Sequence, residues 1–553
     1  AVENINIAVV AGNDITLTTS FHADVDNVVV TGGNSLSTLT TGTLVDTIQS
    51  VDASAFTGNI VAAVIADKLD TTVEIKGGAL LTDTVTNQIT AAATSYALKS
   101  TGVEILTLNV DADATVSLAN ATGLTTVNVD VATTKTAIIS GVTNQTIVVT
   151  DAATNTGTIN AVLANATGAS DVVNFKLLAT AGGAGAIADT TMLKTDDVET
   201  VNIEAKTTAE TISLANLAMT TAAAVMTLNV TGDAALTISA LNADVTTVNA
   251  SANTAGFIMT GRSATGISTI TGSTEADTII MMNSGDILNA TSNTSATATD
   301  TDLLDINFAA VLGGLEVNLA NTGDQVTTFN GAANAAVQSN FTSVDASGYT
   351  GSFGAQLTAN ALGSTMTGTA NADVINGGTG ADTISGDAGS DSITISGANN
   401  TVTLNQVAGL DTITGFATGD TLANAAGNEI GTATSGTEVT KTAAFATAAL
   451  ATDTTNILTF NASTTSALAT TGTATITDFT DVAFGGDVMT YLDEVYSVTA
   501  IATEAVVILN DGTDSFVYYF LNDSDTTFDA GDTLTLVGQV TDHVIVAADV
   551  AVL

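Results

Sequence analysis

The stretch that decides the fold runs from 368 to 394: GTANADVIN (368–376), GGTGADTIS (377–385) and GDAGSDSIT (386–394). Each nine-residue line opens with Gly, carries Asp at its sixth place and Ile at its eighth. Glycine admits turn angles closed to other residues and lets carbonyls crowd together. Aspartate supplies a hard carboxylate oxygen. An isolated aliphatic residue every nine positions cannot build a helix face or a long strand. It suits a six-residue turn followed by a three-residue strand, with Ile375, Ile384 and Ile393 pointing inward. Two lines make one turn of a parallel β-roll, so turns 18 residues apart lie side by side.

That spacing makes Asp373 and Asp391 neighbours on one edge of the roll. Asp382 falls on the other edge and needs a partner at 364 or 400, and position 400 is Asn, a weaker oxygen donor. Calcium takes six to eight oxygens, mixing carboxylates with carbonyls. Gly368, Asn371, Asp373, Gly377, Gly378, Gly380, Asp382, Gly386, Gly389 and Asp391 are therefore the candidate calcium-binding residues, with Asp411 following in LDTITGFATGDTL (410–422). The competing explanation is a glycine turn whose Asp caps its own backbone.

Repetition extends beyond this run. A line of the form Thr-hydrophobic-Asn-hydrophobic recurs at Asn109, Asn128, Asn174, Asn202, Asn229 and Asn249, with QTIVV near Val148 as a degenerate copy. Alternation of period two between such lines predicts a β-solenoid, each rung stacked on the next, with one Asn per rung in a ladder. An antiparallel sandwich is the alternative. A longer module joins Val248 to Asp277 and Val344 to Asp373, 29 residues apart in both, and Val51 to Asp83 after 32. GSTEADTII (272–280) makes Asp277 a further candidate ligand, and GGALLTDTVT makes Asp83 a weaker one.

The 553 residues carry 56 acidic and nine basic side chains, a net charge of −47. Nucleic acid is excluded as a partner, since phosphate binding needs basic patches. Such a chain repels itself unless cations neutralise it. Cysteine is absent, so neither disulfides nor thiol chemistry contributes. Proline is absent too. No apolar run reaches the roughly 18 residues of a membrane span. The chain does not open with Met, and a segment upstream of it is expected. Neither His-Glu-x-x-His nor Gly-x-Ser-x-Gly occurs, GRSATG (261–266) missing the latter by one residue. Two histidines, His22 and His543, stand apart from any nucleophile motif, and His22 is expected at the surface. No enzyme is expected.

The run at 368–394 resembles the repeats-in-toxin (RTX) nonapeptide, Gly-Gly-x-Gly-x-Asp-x-aliphatic-x. GGTGADTIS matches it throughout, whereas GTANADVIN lacks two of its glycines and GDAGSDSIT one. Asp411, Phe416 and Asp420 resemble a common sequel to such arrays. The resemblance implies calcium binding and type I secretion, and the acidic, hydroxyl-rich tail GDTLTLVGQVTDHVIVAADVAVL is similar to an uncleaved export signal. In its Thr, Ala and Asn richness and lack of Cys, the whole chain looks like a bacterial surface-layer protein of this kind. That resemblance implies a calcium-dependent lattice of identical copies on the cell surface, anchored to lipopolysaccharide through a region N-terminal to this chain. A secreted adhesin with calcium-stiffened repeats is the alternative.

The expected fold is all-β: β-solenoid and parallel β-roll segments with calcium-binding turns, plus a C-terminal β domain. The expected division is 1–100, a β-rich module; 101–262, the solenoid ladder; 263–343, a repeat module with a polar linker at 292–302; 344–422, the calcium roll; and 423–553, the C-terminal domain with one helix expected inside 423–453.

Overall fold

Threonine, valine, isoleucine and asparagine in alternation favour strands with one face buried, and the computed structural model is built almost wholly of them. The structure describes residues 3–17, 25–44, 48–64, 69, 72–150, 157–168, 170–179, 192–207, 212–214, 216–220, 226–262, 266, 268–291, 301–310, 312–405, 409–424, 448–450, 458–461, 476, 478–498, 504–521, 529–545 and 549. His22, the linker residues 292–300 and most of 423–453 lie outside them. The chain forms two units, Ala1–Ile280 with Ala290–Ser295, and Met281–Asn289 with Ala296–Leu553.

In the first unit a third sheet begins at Ile212–Leu214, and as far as Asn216–Thr220 each rung gives one strand to each of two parallel sheets. One is a 10-stranded sheet that begins Asn4–Val9, Asn27–Gly32, Ser50–Phe56, Glu74–Lys76 and ends at Asn216–Thr220. The other takes the intervening strands, among them Thr84–Ile89, Ile105–Val110, Thr126–Val131, Val172–Ala179, Thr200–Thr207 and Met226–Gly232. Pairing is parallel and one rung deep, as with Asn4 opposite Asn27 and Ile105 opposite Thr126. This is the solenoid, and the sandwich alternative is excluded for the unit. Burial alternates along most strands, as in Thr126–Val131, and Val127, Val129, Val201 and Ile203 are fully enclosed.

The asparagine ladder exists in part. Asn202 donates to Asn174 at 2.8 Å, and Asn229 donates to Asn202 at 2.9 Å. Asn249 stands opposite Asn229, but its side chain accepts instead from Ser251. Asn109 does not join. It lies opposite Asp130, while Asn128 faces Thr107 and Val148. Val148 in turn lies opposite Lys176, with Thr146 opposite Asn174. The register slips by two residues between Asn109 and Asn128 and again between Val148 and Asn174, and a slip of two leaves the inward set unchanged. Cross-rung ion pairs join successive rungs on both sheets: Lys76–Asp52, Lys176–Glu204 and Lys206–Asp233, all at 3.1 Å.

The longer module begins with one small turn in all three copies. Asp52, Asn249 and Asp345 each accept the N–H of the Ser two residues on, Ser54, Ser251 and Ser347, at 2.9–3.1 Å.

In the second unit the nonapeptides form the expected roll. Ala355–Thr358, Val374–Asn376, Ser392–Thr394 and Asp411–Thr414 make one wall. Thr365–Thr367, Thr383–Ser385, Thr401–Leu404 and Thr421–Asn424 make the other. Ile375 lies opposite Ile393 and Ile384 opposite Val402, a register of 18. Between the walls, Leu357, Ile375 and Ile393 meet Met366, Ile384 and Val402, all fully buried. The register then lengthens to 20, with Ile393 opposite Ile413.

The strands Glu504–Asn510, Ser515–Leu521 and Thr533–Thr541 do not stand apart from the roll. Thr533–Thr541 runs parallel to Asp411–Thr414 in the same sheet and continues antiparallel into Ser515–Leu521 and Glu504–Asn510. Among the described residues the α-helix is Asp487–Val495, and the helix expected inside 423–453 falls on residues outside the described ones, apart from the strand Ala448–Leu450. The Asp487–Val495 helix packs Val488, Tyr491 and Leu492 against Tyr518 and Phe520.

Candidate metal centre

The sixth residue of each line sits where the turn hands over to the strand, and there it is buried. Asp373, Asp382, Asp391 and Asp411 are no more than 3% exposed. Each reaches back one full turn. The N–H of Ala355 donates to Asp373 Oδ1, that of Asp373 to Asp391 Oδ1 (2.8 Å), and that of Asp391 to Asp411 Oδ1 (3.0 Å). The opposite edge repeats the device. Ser364 N–H donates to Asp382 Oδ1 (2.8 Å), Asp382 N–H to Asn400 Oδ1 (3.0 Å), and Asn400 N–H to Asp420 Oδ1 (2.9 Å). Two ladders of side-chain oxygens therefore run along the roll, one per edge, the second passing through Asn400. Ser364 and Asn400 are thus the hydrogen-bonded neighbours of Asp382 on that edge.

The second oxygens divide the set. Asp373 Oδ2 accepts the Thr369 N–H at 2.6 Å, and the Thr369 hydroxyl donates to Oδ1 at 2.9 Å. Asp382 Oδ2 and Asp391 Oδ2 are buried with no hydrogen-bond partner. A buried, unpartnered carboxylate oxygen carries the full cost of lost hydration. A native fold keeps such an atom where a proton or a cation will meet it.

The electrostatics point the same way. Burial pushes the Asp382 carboxyl up to about 6. It raises Asp373 as well, against the hydrogen bonds from Ala355 and Thr369. Burial raises Asp391 further, aided by the charges of Asp411 and Asp373, and it raises Asp411. Asp391 and Asp411 form a hydrogen-bonded pair when one holds a proton. Two carboxylates so placed cannot both ionise in a dry site without a positive charge between them.

The glycines keep this space open. A Cβ on Gly386 would lie 2.1 Å from Asp391 Oδ2, and one on Gly368 would lie 2.3 Å from Asp373 Oδ2. Gly377 approaches Asp382 Oδ2 in the same way, at 3.0 Å. Gly378 and Gly380 press instead on the preceding turn, at the Asn360 carbonyl and the Gly363 amide, and Gly389 presses on Asn371. Asn371 turns away from the acids. Its side chain donates to the carbonyls of Gly351 and Phe353.

Among the described residues no three Asp, Glu, His or Cys side chains gather at one point. A calcium ion here would be held by no more than two of these carboxylates, with turn carbonyls supplying the remaining oxygens, a donor set that suits this cation. When bound, it supplies the positive charge that the paired acids lack.

Asp277 and Asp83 share the turn but not the open oxygen. Asp277 accepts N–H groups from Phe257 (2.8 Å) and Ser273 (2.7 Å) and the Ser273 hydroxyl. Asp83 accepts from Ile60 (2.8 Å) and Gly78 (2.6 Å), and its own N–H reaches Glu104 Oε2 at 3.2 Å. These are the backbone caps of the competing explanation. Sequence inspection missed Asp286, fully buried, whose Oδ2 accepts from Met282 and Asn283. Its line, MMNSGDILN (281–289), keeps Asp sixth and Leu288 eighth but lacks the opening Gly that would have flagged it.

Comparison with known families agrees with this geometry. Residues 365–402 match the RTX calcium-binding nonapeptide repeat, in four copies. The match marks an RTX-type, calcium-binding protein, and proteins carrying these repeats are typically secreted. Among curated proteins, none matches the chain significantly. Among the described residues no helix is long and apolar enough to cross a membrane.

Proposed function

We propose that this is a structural surface-layer protein whose copies assemble into a calcium-dependent two-dimensional lattice outside the cell. The observation that carries the proposal is the charge account. The net charge is −47, and five lysines, Lys76, Lys99, Lys176, Lys194 and Lys206, are already paired with acids of their own solenoid. Identical surfaces this acidic approach one another only if divalent cations lie between them. The parallel ladders supply rigidity, and Asp382, Asp391 and Asp411, with Asp373 beside them, hold calcium within the roll. The chain acts as scaffold rather than enzyme. Lipopolysaccharide is the anchor this function adds, tested by whether sheets form on vesicles that contain it.

Electron microscopy of the purified chain tests the lattice itself. Ordered sheets should form in millimolar calcium and disperse with chelator. Sheets that survive chelation refute the calcium dependence, and single rods at all calcium levels favour the adhesin.

A further inference from the structure

We infer that Asn400 closes its turn of the roll without a metal ion, unlike the equivalent rung at Asp391. This rests on the calcium-binding role of the nonapeptides and goes beyond it. Asn400 and Asp391 hold equivalent places in successive half-turns. Each is buried, each precedes a strand, and each accepts the N–H of the residue 18 earlier. Each also faces a carboxylate 20 residues later, Asp420 for Asn400 and Asp411 for Asp391.

They differ in one atom. Asp391 Oδ2 has no partner, and Asp391 meets a second buried acid. Asn400 has Nδ2 in that place, donating to Asp420 Oδ1 at 2.9 Å and to the Ser396 carbonyl at 3.3 Å. The other Asp420 oxygen takes the Ala417 N–H at 2.8 Å. The amide thus contributes the positive hydrogens that the Asp391–Asp411 rung must obtain from outside. It also occupies a turn carbonyl that an ion would otherwise use. The Asn400–Asp420 rung is complete on its own, next to the acid-only rung that is not.

The test uses the full chain carrying Asn400→Asp or Asp391→Asn. Native mass spectrometry in saturating calcium counts ions, and hydrogen exchange in chelator follows Thr401–Leu404 and Ser392–Thr394. N400D should bind one ion more than wild type and lose at least tenfold of its chelator-phase protection at Thr401–Leu404. D391N should bind one ion fewer and gain protection at Ser392–Thr394. An unchanged ion count in a folded N400D overturns the inference. If N400D fails to fold in calcium, D391N decides: a wild-type ion count there overturns it. A wild-type chain that binds no calcium overturns the calcium role of the roll, and this inference with it. Unchanged counts against a calcium-binding wild type overturn the inference alone.

Discussion

Replacing Ile384 by Ala probes whether the roll and its ions fold as one. Ile384 is fully buried between Met366 and Val402, its register neighbours on either side. The substitution removes three carbons, worth about 2.4 kcal/mol at ~0.8 kcal/mol each, before any cavity penalty. Core truncations of this kind cost about 2–5 kcal/mol in all, and ~3 kcal/mol is the working figure. Ions that bind only the folded roll stabilise it by mass action, about 2.7 kcal/mol per site at a hundredfold excess over Kd. Calcium should therefore rescue the variant, at a higher concentration. With one ion for each of the two bare oxygens, Asp382 Oδ2 and Asp391 Oδ2, the deficit is shared. At about 1.4 kcal/mol per decade, the folding midpoint in calcium should move roughly tenfold upward. Calcium titration followed by circular dichroism measures it, with exposed Thr383→Ala as the control. A midpoint within twofold of wild type would show that core and ions are not linked, and the roll described above would be wrong.

Two other outcomes follow from the structure. Asp305 is raised to about 6, first by burial and then by the charge of Asp345, its register neighbour. The folded state thus binds the proton more tightly than the unfolded chain. Stability is highest below about pH 4 in this respect and is lost as pH rises toward 6. Asp305→Asn should abolish that slope and stabilise the second unit at pH 7 by on the order of 1–2 kcal/mol, allowing for solvent screening; equal denaturant midpoints at pH 7 would contradict it. Asn202→Ala removes both bonds of the amide ladder. It should cost about 1–2 kcal/mol and speed hydrogen exchange in Thr200–Thr207, and unaltered exchange there would make the ladder ornamental.

How much of this was legible in the sequence depended on distance along the chain. Ile375, Ile384 and Ile393 announce their burial because period nine fixes turn and strand together, and the 18-residue register follows from two lines per turn. The solenoid's alternation was equally plain. Its exact pairing was not, because Asn109 can slip two residues against Asn128 and keep every inward valine in place. The state of each Asp oxygen was hidden for another reason. It depends on whether the turn offers a Thr369 or Ser273 to cap the acid, or leaves Asp382 and Asp391 bare. The joining of the last strands to the roll was illegible from local pattern: Thr541 donates to the Ile413 carbonyl across 128 residues. No short-range periodicity encodes a partner so remote.

The bonds that join one turn's backbone amide to another turn's Asp or Asn side chain all point one way, from the earlier turn to the later. Its two ends are therefore chemically unlike. Cut before Asp373, the roll would show oxygen; cut after Asp391, it would show N–H. An array built this way has a head and a tail, and each end calls for its own kind of stopper. The head needs a donor, which the Ala355 N–H provides. The tail needs a further strand, and Thr533–Thr541 lies against Asp411–Thr414 to supply it. Lengthening the array by inserting whole turns preserves both stoppers, whereas an inverted copy would set acid against acid.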